Sequence, residues 1–166
     1  VVGLRQAKHS AAAMREAGFT PQELRAAKYP IQELYNAGFG VEEVRKAGTS
    51  ISDLMMAGAT IAELRESGIS AQNLRVENVR LKDMHRGGYT CKDVKAAGYT
   101  CKEVKAAGFT NGLKAGGYTI EEAVAAKYSC EELFAGGYAA EELIASGFKP
   151  LEMRAVGYDA KALQAA

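Results

Sequence analysis

The sequence is poor in three features, and each shortage argues against a class of protein. No apolar run reaches the roughly 18–20 residues of a membrane-spanning helix, so we expect no membrane span. The formal net charge of the 166 residues is only +1, so bulk charge gives no argument for nucleic acid. The three cysteines are an odd number and define no disulfide framework. The compartment stays unknown, although this cysteine usage favours a reducing, intracellular one.

Glycine, by contrast, is abundant, with 18 residues against three prolines, and it follows a ten-residue period. The stretch GYTCKDVKAAGYTCKEVKAAGFT, residues 88–110, contains the period twice. With Thr90 and Thr100 set at position 10, position 4 is mostly Leu, Met or Val and position 8 is mostly Gly. Position 9 is mostly Phe or Tyr, and position 10 is mostly Ser or Thr. A fixed period of this kind indicates a repeat architecture.

Each position of the period has a role in a short helix. Ser or Thr at position 10 is an N-cap, and an acidic residue three positions later completes a capping box. The aromatic residue at position 9 and the aliphatic residue at position 4 form a hydrophobic staple. Gly at position 8 ends the helix in the left-handed conformation. We therefore predict a two-turn helix over positions 1–7 and a three-residue corner. Capping boxes are predicted at Thr20/Glu23, Ser50/Asp53, Thr60/Glu63, Thr100/Glu103, Thr119/Glu122 and Ser129/Glu132.

Helices this short must share a core with their neighbours, because isolated helices need roughly 12–15 residues for even marginal stability. Small residues at position 7 allow close approach between helices. We predict an all-α fold in which single-helix ten-residue repeats coil into an α-solenoid, or superhelix, with three or four helices per turn. Residues 1–166 form one continuous array of about 16 repeats, irregular near 77–80 and 110–118. A continuous helix or coiled coil fits poorly, because ten matches neither the 7- nor the 11-residue supercoil period.

The consensus T-x-x-E-L-[KR]-x-A-G-[FY] resembles the decapeptide repeat arrays, which are sometimes loosely labelled ankyrin-like. The 33-residue period and the T-P-L-H signature of ankyrin repeats are missing. The resemblance implies an interaction or scaffold role and supplies no catalytic residues. The sequence departs from the consensus at residues 77–80, around Gly112 and at Lys127.

Residues that could carry out chemistry lack the arrangement that chemistry needs. His9 and His85 are far apart and have no cysteine cluster, and the gap between Cys91 and Cys101 is not a zinc spacing. The paired glutamates at 121/122, 131/132 and 141/142 each include a residue that caps its own helix. We therefore predict no enzyme activity, no catalytic residues, no cofactor and no metal site.

Position 5 of the repeat is mostly basic and predicts a surface that we call the basic ridge. Residues 1–118 contain 17 basic and 12 acidic residues, whereas residues 119–166 contain 4 and 8. The ridge could be a solvated rim with glutamate partners, a contact for an acidic protein or lipid surface, or a nucleic-acid site. Its candidate binding residues are Arg65, Arg75, Lys95, Lys105 and Lys114.

From residue 124 onward the same rim becomes apolar and alanine occupies position 6. Stacked repeats would place these side chains in one exposed row, which we call the apolar strip, unless the superhelix buries them internally. Exposed apolar rows usually mark contact sites, so we predict that a partner docks here. The apolar strip consists of Val124, Phe134 and Ile144 with Ala125, Ala135 and Ala145.

These observations predict a non-catalytic scaffold protein that mediates protein–protein contacts in a larger assembly. The alternative is a tandem-repeat nucleic-acid-binding module that uses the basic ridge. The expected partners are other proteins of a complex, and contact with a membrane surface stays an open alternative that has no further support. Terminal solenoid repeats usually carry polar caps. Neither Val1–Gly3 nor Ala165–Ala166 has one, so we expect the chain to be a segment of a longer protein.

Overall fold

The described part of the chain is all-helical. A computed structural model describes residues 9–159 and 163; the two chain ends discussed above, Val1–Gly3 and Ala165–Ala166, lie outside it. Within it there are 14 α-helices of six residues each and no strand. The helices are α1 Ala11–Glu16, α2 Pro21–Ala26, α3 Ile31–Asn36, α4 Val41–Lys46, α5 Ile51–Met56, α6 Ile61–Glu66, α7 Ala71–Val76, α8 Leu81–Arg86, α9 Cys91–Ala96, α10 Cys101–Ala106, α11 Ile120–Ala125, α12 Cys130–Ala135, α13 Ala140–Ala145 and α14 Pro150–Ala155.

The helices group into two compact units. Val1–Ile69 contains α1–α6, and Ser70–Ala166 contains α7–α14. Each helix covers positions 1–6 of the repeat, one residue fewer than predicted, because position 7 is the C-cap residue. No helix in the described part of the chain is long and apolar enough to cross a membrane.

The helix N-termini are capped largely as the sequence predicts. The Thr20 hydroxyl accepts from the Glu23 N–H, and the Glu23 carboxylate accepts from the Thr20 N–H at 2.8 Å. Ser50 forms only half of its predicted box: its hydroxyl accepts from the Asp53 N–H at 3.0 Å and donates to the Asp53 carboxylate at 2.7 Å, but the reciprocal bond from the Ser50 N–H is not formed. The other predicted capping boxes are confirmed, at Thr60, Thr100, Thr119 and Ser129.

The helix C-termini end in a Schellman motif, as the periodic glycine predicts. In the first described repeat the Gly18 N–H donates to the Arg15 carbonyl and the Phe19 N–H donates to the Met14 carbonyl, both at 2.9 Å. The residue at position 8 has a positive φ even where it is not glycine, as at Lys28, Asn78 and Lys127. This left-handed residue separates each helix from the next.

The short repeat after Thr110 does not form a helix. Residues 111–117 form turns, and Gly112 has a φ of 71°. A left-handed residue at position 2 interrupts the right-handed backbone that a helix needs. The end of this repeat is nevertheless regular, because the Tyr118 N–H donates to the Leu113 carbonyl at 3.1 Å.

The core of each compact unit consists mainly of positions 4 and 9. Among the side chains that are wholly inaccessible at position 4 are Leu24, Leu64, Leu74, Leu133 and Met153. Helices contact the second helix along the chain as well as the next one: α1 packs on α3 and α2 on α4, and in the second unit α7 packs on α9 and α12 on α14. Lysine–glutamate pairs also join some repeats to the third repeat along. Within each unit, packing between helices therefore runs mainly to the first and second neighbours along the chain.

Position 7 brings the backbones together, as its small residues predict. At Gly116 an added Cβ would lie 2.6 Å from the Cβ of Cys91 and 2.8 Å from its carbonyl carbon. Such distances are impossible without a shift of the backbone, so only glycine fits at this contact. Cys91 also donates from its thiol to the Asn111 carbonyl at 3.3 Å.

Tyrosines at position 9 form a set of hydrogen bonds that we call the tyrosine ladder. The Tyr118 hydroxyl donates to the Tyr99 carbonyl at 2.8 Å, Tyr138 donates to the Tyr118 carbonyl at 2.8 Å and Tyr158 donates to the Tyr138 carbonyl at 2.7 Å. Burial raises the pKa of Tyr158 to about 12, so its hydroxyl remains a donor at neutral pH. The ladder therefore fastens the repeats that carry these tyrosines to the second repeat before them.

We expect Tyr138→Phe to lower the free energy of unfolding by about 1 kcal/mol, because it leaves the buried Tyr118 carbonyl without this donor. Tyr99→Phe is the control, since phenylalanine keeps the ring that lies under the Arg75 guanidinium. Urea unfolding of both variants measures the difference. Equal losses in the two variants would show that the ladder adds no stability.

Candidate protein-interaction surface

Three arginines at position 5, Arg15, Arg25 and Arg75, donate to a carbonyl of a neighbouring repeat. The Arg15 Nη1 donates to the Ala37 carbonyl at 3.2 Å, and its guanidinium lies 5.5 Å from the centre of the Phe39 ring. Arg75 makes the same two contacts with the Ala97 carbonyl and, at 4.6 Å, with the Tyr99 ring. The carbonyl belongs to the C-cap residue of the second helix along, where a cation also complements the helix dipole.

The lysines at position 5 reach one repeat further. Lys95 Nζ lies 2.7 Å from a carboxylate oxygen of Glu122, Lys105 Nζ lies 2.9 Å from Glu132 and Lys114 Nζ lies 2.6 Å from Glu142. These glutamates also accept from the N-cap N–H groups of their own helices. One carboxylate thus caps its own helix and holds the cation of an earlier repeat.

The predicted basic ridge is therefore largely occupied by contacts within the array. Lys95 and Lys105 also place Nζ 4.3 and 4.7 Å from the Tyr118 and Tyr128 rings. Lys114 is paired as described above, and Arg65 is exposed. Arg75, Lys95, Lys105 and Lys114 therefore act as braces between repeats, a role that the sequence indicated only as glutamate partners on a solvated rim.

The position-5 lysines lower the pKa values of two glutamates that they contact. The hydrogen bond from Lys95, followed by that from the Thr119 backbone, lowers the pKa of Glu122. The hydrogen bond from Lys114 is likewise the main reason that the pKa of Glu142 is lowered. Both carboxylates are therefore stabilised in the charged form.

The predicted apolar strip borders a groove between α11 and α13. This groove has a volume of about 810 Å³, and its walls include Val124, Ala125 and Ala145. Ile120 and Tyr138 also line it, so most of its surface is apolar. The alanines Ala125 and Ala145 are exposed, so the coil does not bury them internally.

The remaining strip residues lie outside the groove walls. Phe134 is 42% exposed and packs edge-on against Tyr158, with ring centres 4.7 Å apart. Phe134 at position 5 therefore contacts the aromatic ring of the second repeat along, as the cation of Arg75 does with the Tyr99 ring. Ala135 is exposed and Ile144 is half-buried.

The cysteines are packed as small apolar side chains. Cys91 and Cys101 are buried, and Cys130 is half-buried. Burial raises the pKa of the Cys91 thiol to about 11, so little thiolate forms at neutral pH. No group of three or more His, Cys, Asp or Glu side chains that could hold a metal ion occurs in the part of the chain that the structure describes.

Short helices, Schellman corners and contacts between every second repeat define an all-α repeat protein of the solenoid class. The family description "Decapeptide repeat region" matches residues 1–71, 58–112 and 110–166. The chain therefore belongs to the decapeptide repeat family, which confirms the resemblance seen in the sequence. No curated protein and no solved structure matches it.

We expect Lys105→Met to destabilise the chain by about 1 kcal/mol, because it removes the pair with Glu132 and the contact with the Tyr128 ring. Lys102→Met is the control, since Lys102 is exposed at position 2 of the same helix. Its effect should stay within about 0.5 kcal/mol. Thermal unfolding compares the two, and similar losses would contradict a bracing role for position 5.

Stability should also depend on pH through Glu122 and Glu142. Their folded pKa values lie below the ordinary value of 4.5, so their contribution is present above that pH and is lost as the pH falls through the lowered values. We therefore expect the double variant Glu122→Gln/Glu142→Gln to be less stable than the wild type at pH 7. The difference in free energy of unfolding between the wild type and the double variant should shrink below about pH 4.5. Urea titrations across this range provide the measurement, and a constant gap would contradict it.

Proposed function

We propose that this chain is a non-catalytic scaffold that binds other proteins of a larger assembly through the apolar strip and its groove. The observation that carries the proposal is the accessibility of the groove, an apolar concavity of about 810 Å³ with exposed alanines at its edge. Apolar surface gains free energy when a partner removes it from water. Concave apolar surface is also where ligands and partner side chains preferentially bind.

The construction of the array suits a scaffold. Within each compact unit, the stronger helix contacts of the described residues join a helix to its first or second neighbour along the chain, as in repeat proteins built from nearest-neighbour contacts. Substituting one exposed position can therefore change the surface with little effect on distant repeats.

The contacts of the basic ridge favour a role in holding the repeats together over a role in nucleic-acid binding. Arg75, Lys95, Lys105 and Lys114 contact carbonyls, carboxylates or aromatic rings of neighbouring repeats. A phosphate backbone would have to compete with those contacts. Aromatic rings that could stack on bases are in part buried, as Tyr118 and Tyr128 are.

The test is a substitution of two groove alanines. Ala125→Glu with Ala145→Glu places two charges at the edge of the groove, and both residues are exposed ends of helices, so the fold should persist. We expect recovery of partner proteins with the tagged chain, measured by quantitative mass spectrometry of the native complex, to fall by about tenfold or more.

The matched control is Ala26→Glu with Ala106→Glu. These alanines are also exposed last residues of helices, on α2 and α10, and they do not line the groove. The control should retain its partners, and circular dichroism should show unchanged helix content in both variants. Undiminished recovery with the groove variant would overturn the proposal.

A further inference from the structure

The second compact unit is electrically polarised along its sequence. Residues 70–118 contain 9 basic and 4 acidic residues, a net charge of +5, whereas residues 119–166 contain 4 basic and 8 acidic residues, a net charge of −4. Residues 1–69 balance, with 8 of each sign. One unit therefore has two surfaces of opposite charge.

The polarisation is most regular at position 2 of the repeat. Lys82, Lys92 and Lys102 occupy this position on α8, α9 and α10, and all three are exposed. Exposed glutamates occupy the same position on the next three helices, at Glu121, Glu131 and Glu141. The ion pairs within the described part of the chain involve none of these six residues.

The lysines and the glutamates recur with the same period along the chain. Lys82 and Lys102 lie at the same position of α8 and α10, which pack against each other two repeats apart. Glu121 and Glu141 lie at the same position of α11 and α13, which are also two repeats apart and flank the groove, with Glu121 in its wall. Two exposed lysines and two exposed glutamates therefore stand at the same repeat position, each pair two repeats apart in sequence, and they can complement each other in charge.

We propose that the groove is occupied by a second copy of this chain. The lysines Lys82 and Lys102 of one copy lie against Glu121 and Glu141 of the next, and the apolar walls of the groove are covered in the same contact. The charges set register and orientation, while the apolar surface supplies burial. This inference rests on the proposed function, because it names the occupant of the same surface.

The basic half also offers an apolar side chain for this contact. Val76, the last residue of α7, is 69% exposed, and the nearby chain contains Arg75, Arg80 and Lys82. An exposed valine among cations matches an apolar groove whose wall contains Glu121 and Glu142.

The contact joins the lysines of one copy to the glutamates of another. The apparent mass should therefore rise with concentration.

Charge exchange on the two surfaces provides the test. In sedimentation velocity at low salt, the wild-type chain should associate with rising concentration, and high salt should weaken the association. Glu121→Lys/Glu141→Lys and Lys82→Glu/Lys102→Glu should each raise the apparent Kd for self-association by about tenfold or more, because each then presents two surfaces of one sign. An equimolar mixture of the two variants restores opposite charges at every contact and should associate again.

The control is Glu16→Lys/Glu66→Lys, which changes the net charge by the same amount at exposed positions of α1 and α6. It should associate like the wild type. A wild-type chain that stays monomeric at low salt, a charge variant that associates like the wild type, or a mixture that stays dissociated would each overturn the inference.

The two proposals fail in different ways. If the wild type is monomeric but Ala125→Glu/Ala145→Glu still removes a partner from the native complex, the groove binds a different protein, so the inference is wrong and the proposed function stands. If that groove variant retains every partner and still self-associates, the proposed function and this inference both fail.

Discussion

The structure depends on one local constraint, the left-handed residue that ends each helix after six residues. A helix of that length cannot bury an apolar face of its own or reach the length at which isolated helices persist. Its two ends are nevertheless close to fully satisfied, by the N-cap side chain at one end and by the Schellman hydrogen bonds at the other. What such a helix lacks is a neighbour, and within each compact unit the second repeat along supplies it.

The same few positions perform several tasks because the repeat is so short. Position 9 closes the corner through its backbone, fills the core with its ring and, where it is tyrosine, donates to a carbonyl two repeats earlier. The glutamate at position 3 caps its own helix and, as at Glu122, also forms an ion pair with a lysine three repeats earlier. Changes at position 5 therefore alter both packing and charge. Where Phe134 replaces a cation, only the contact with an aromatic ring, that of Tyr158, is kept.

Local features of the repeat could be read from the sequence, whereas relations between repeats could not. The caps at Thr20 and Thr60, the left-handed residue at position 8 and the burial of position 4 follow from hydrogen bonding and periodicity within ten residues. The Tyr118 carbonyl that accepts from the Tyr138 hydroxyl is brought there by the angle between successive helices. That angle is set by the backbone dihedrals of the corners, which the residue types do not determine. The apolar strip was foreseen from its spacing, but the groove that it borders arises only once α11 and α13 lie side by side.

The separation of the bonded residues along the chain has a consequence for how the protein forms. Side-chain hydrogen bonds between repeats join residues only 19 to 28 positions apart, as between Tyr118 and Tyr99 or Lys114 and Glu142. Contacts of such short range close small loops and form quickly. A repeat can dock as soon as two or three more have left the ribosome, so the array can assemble during translation, from its amino end forward, without waiting for the rest of the polypeptide.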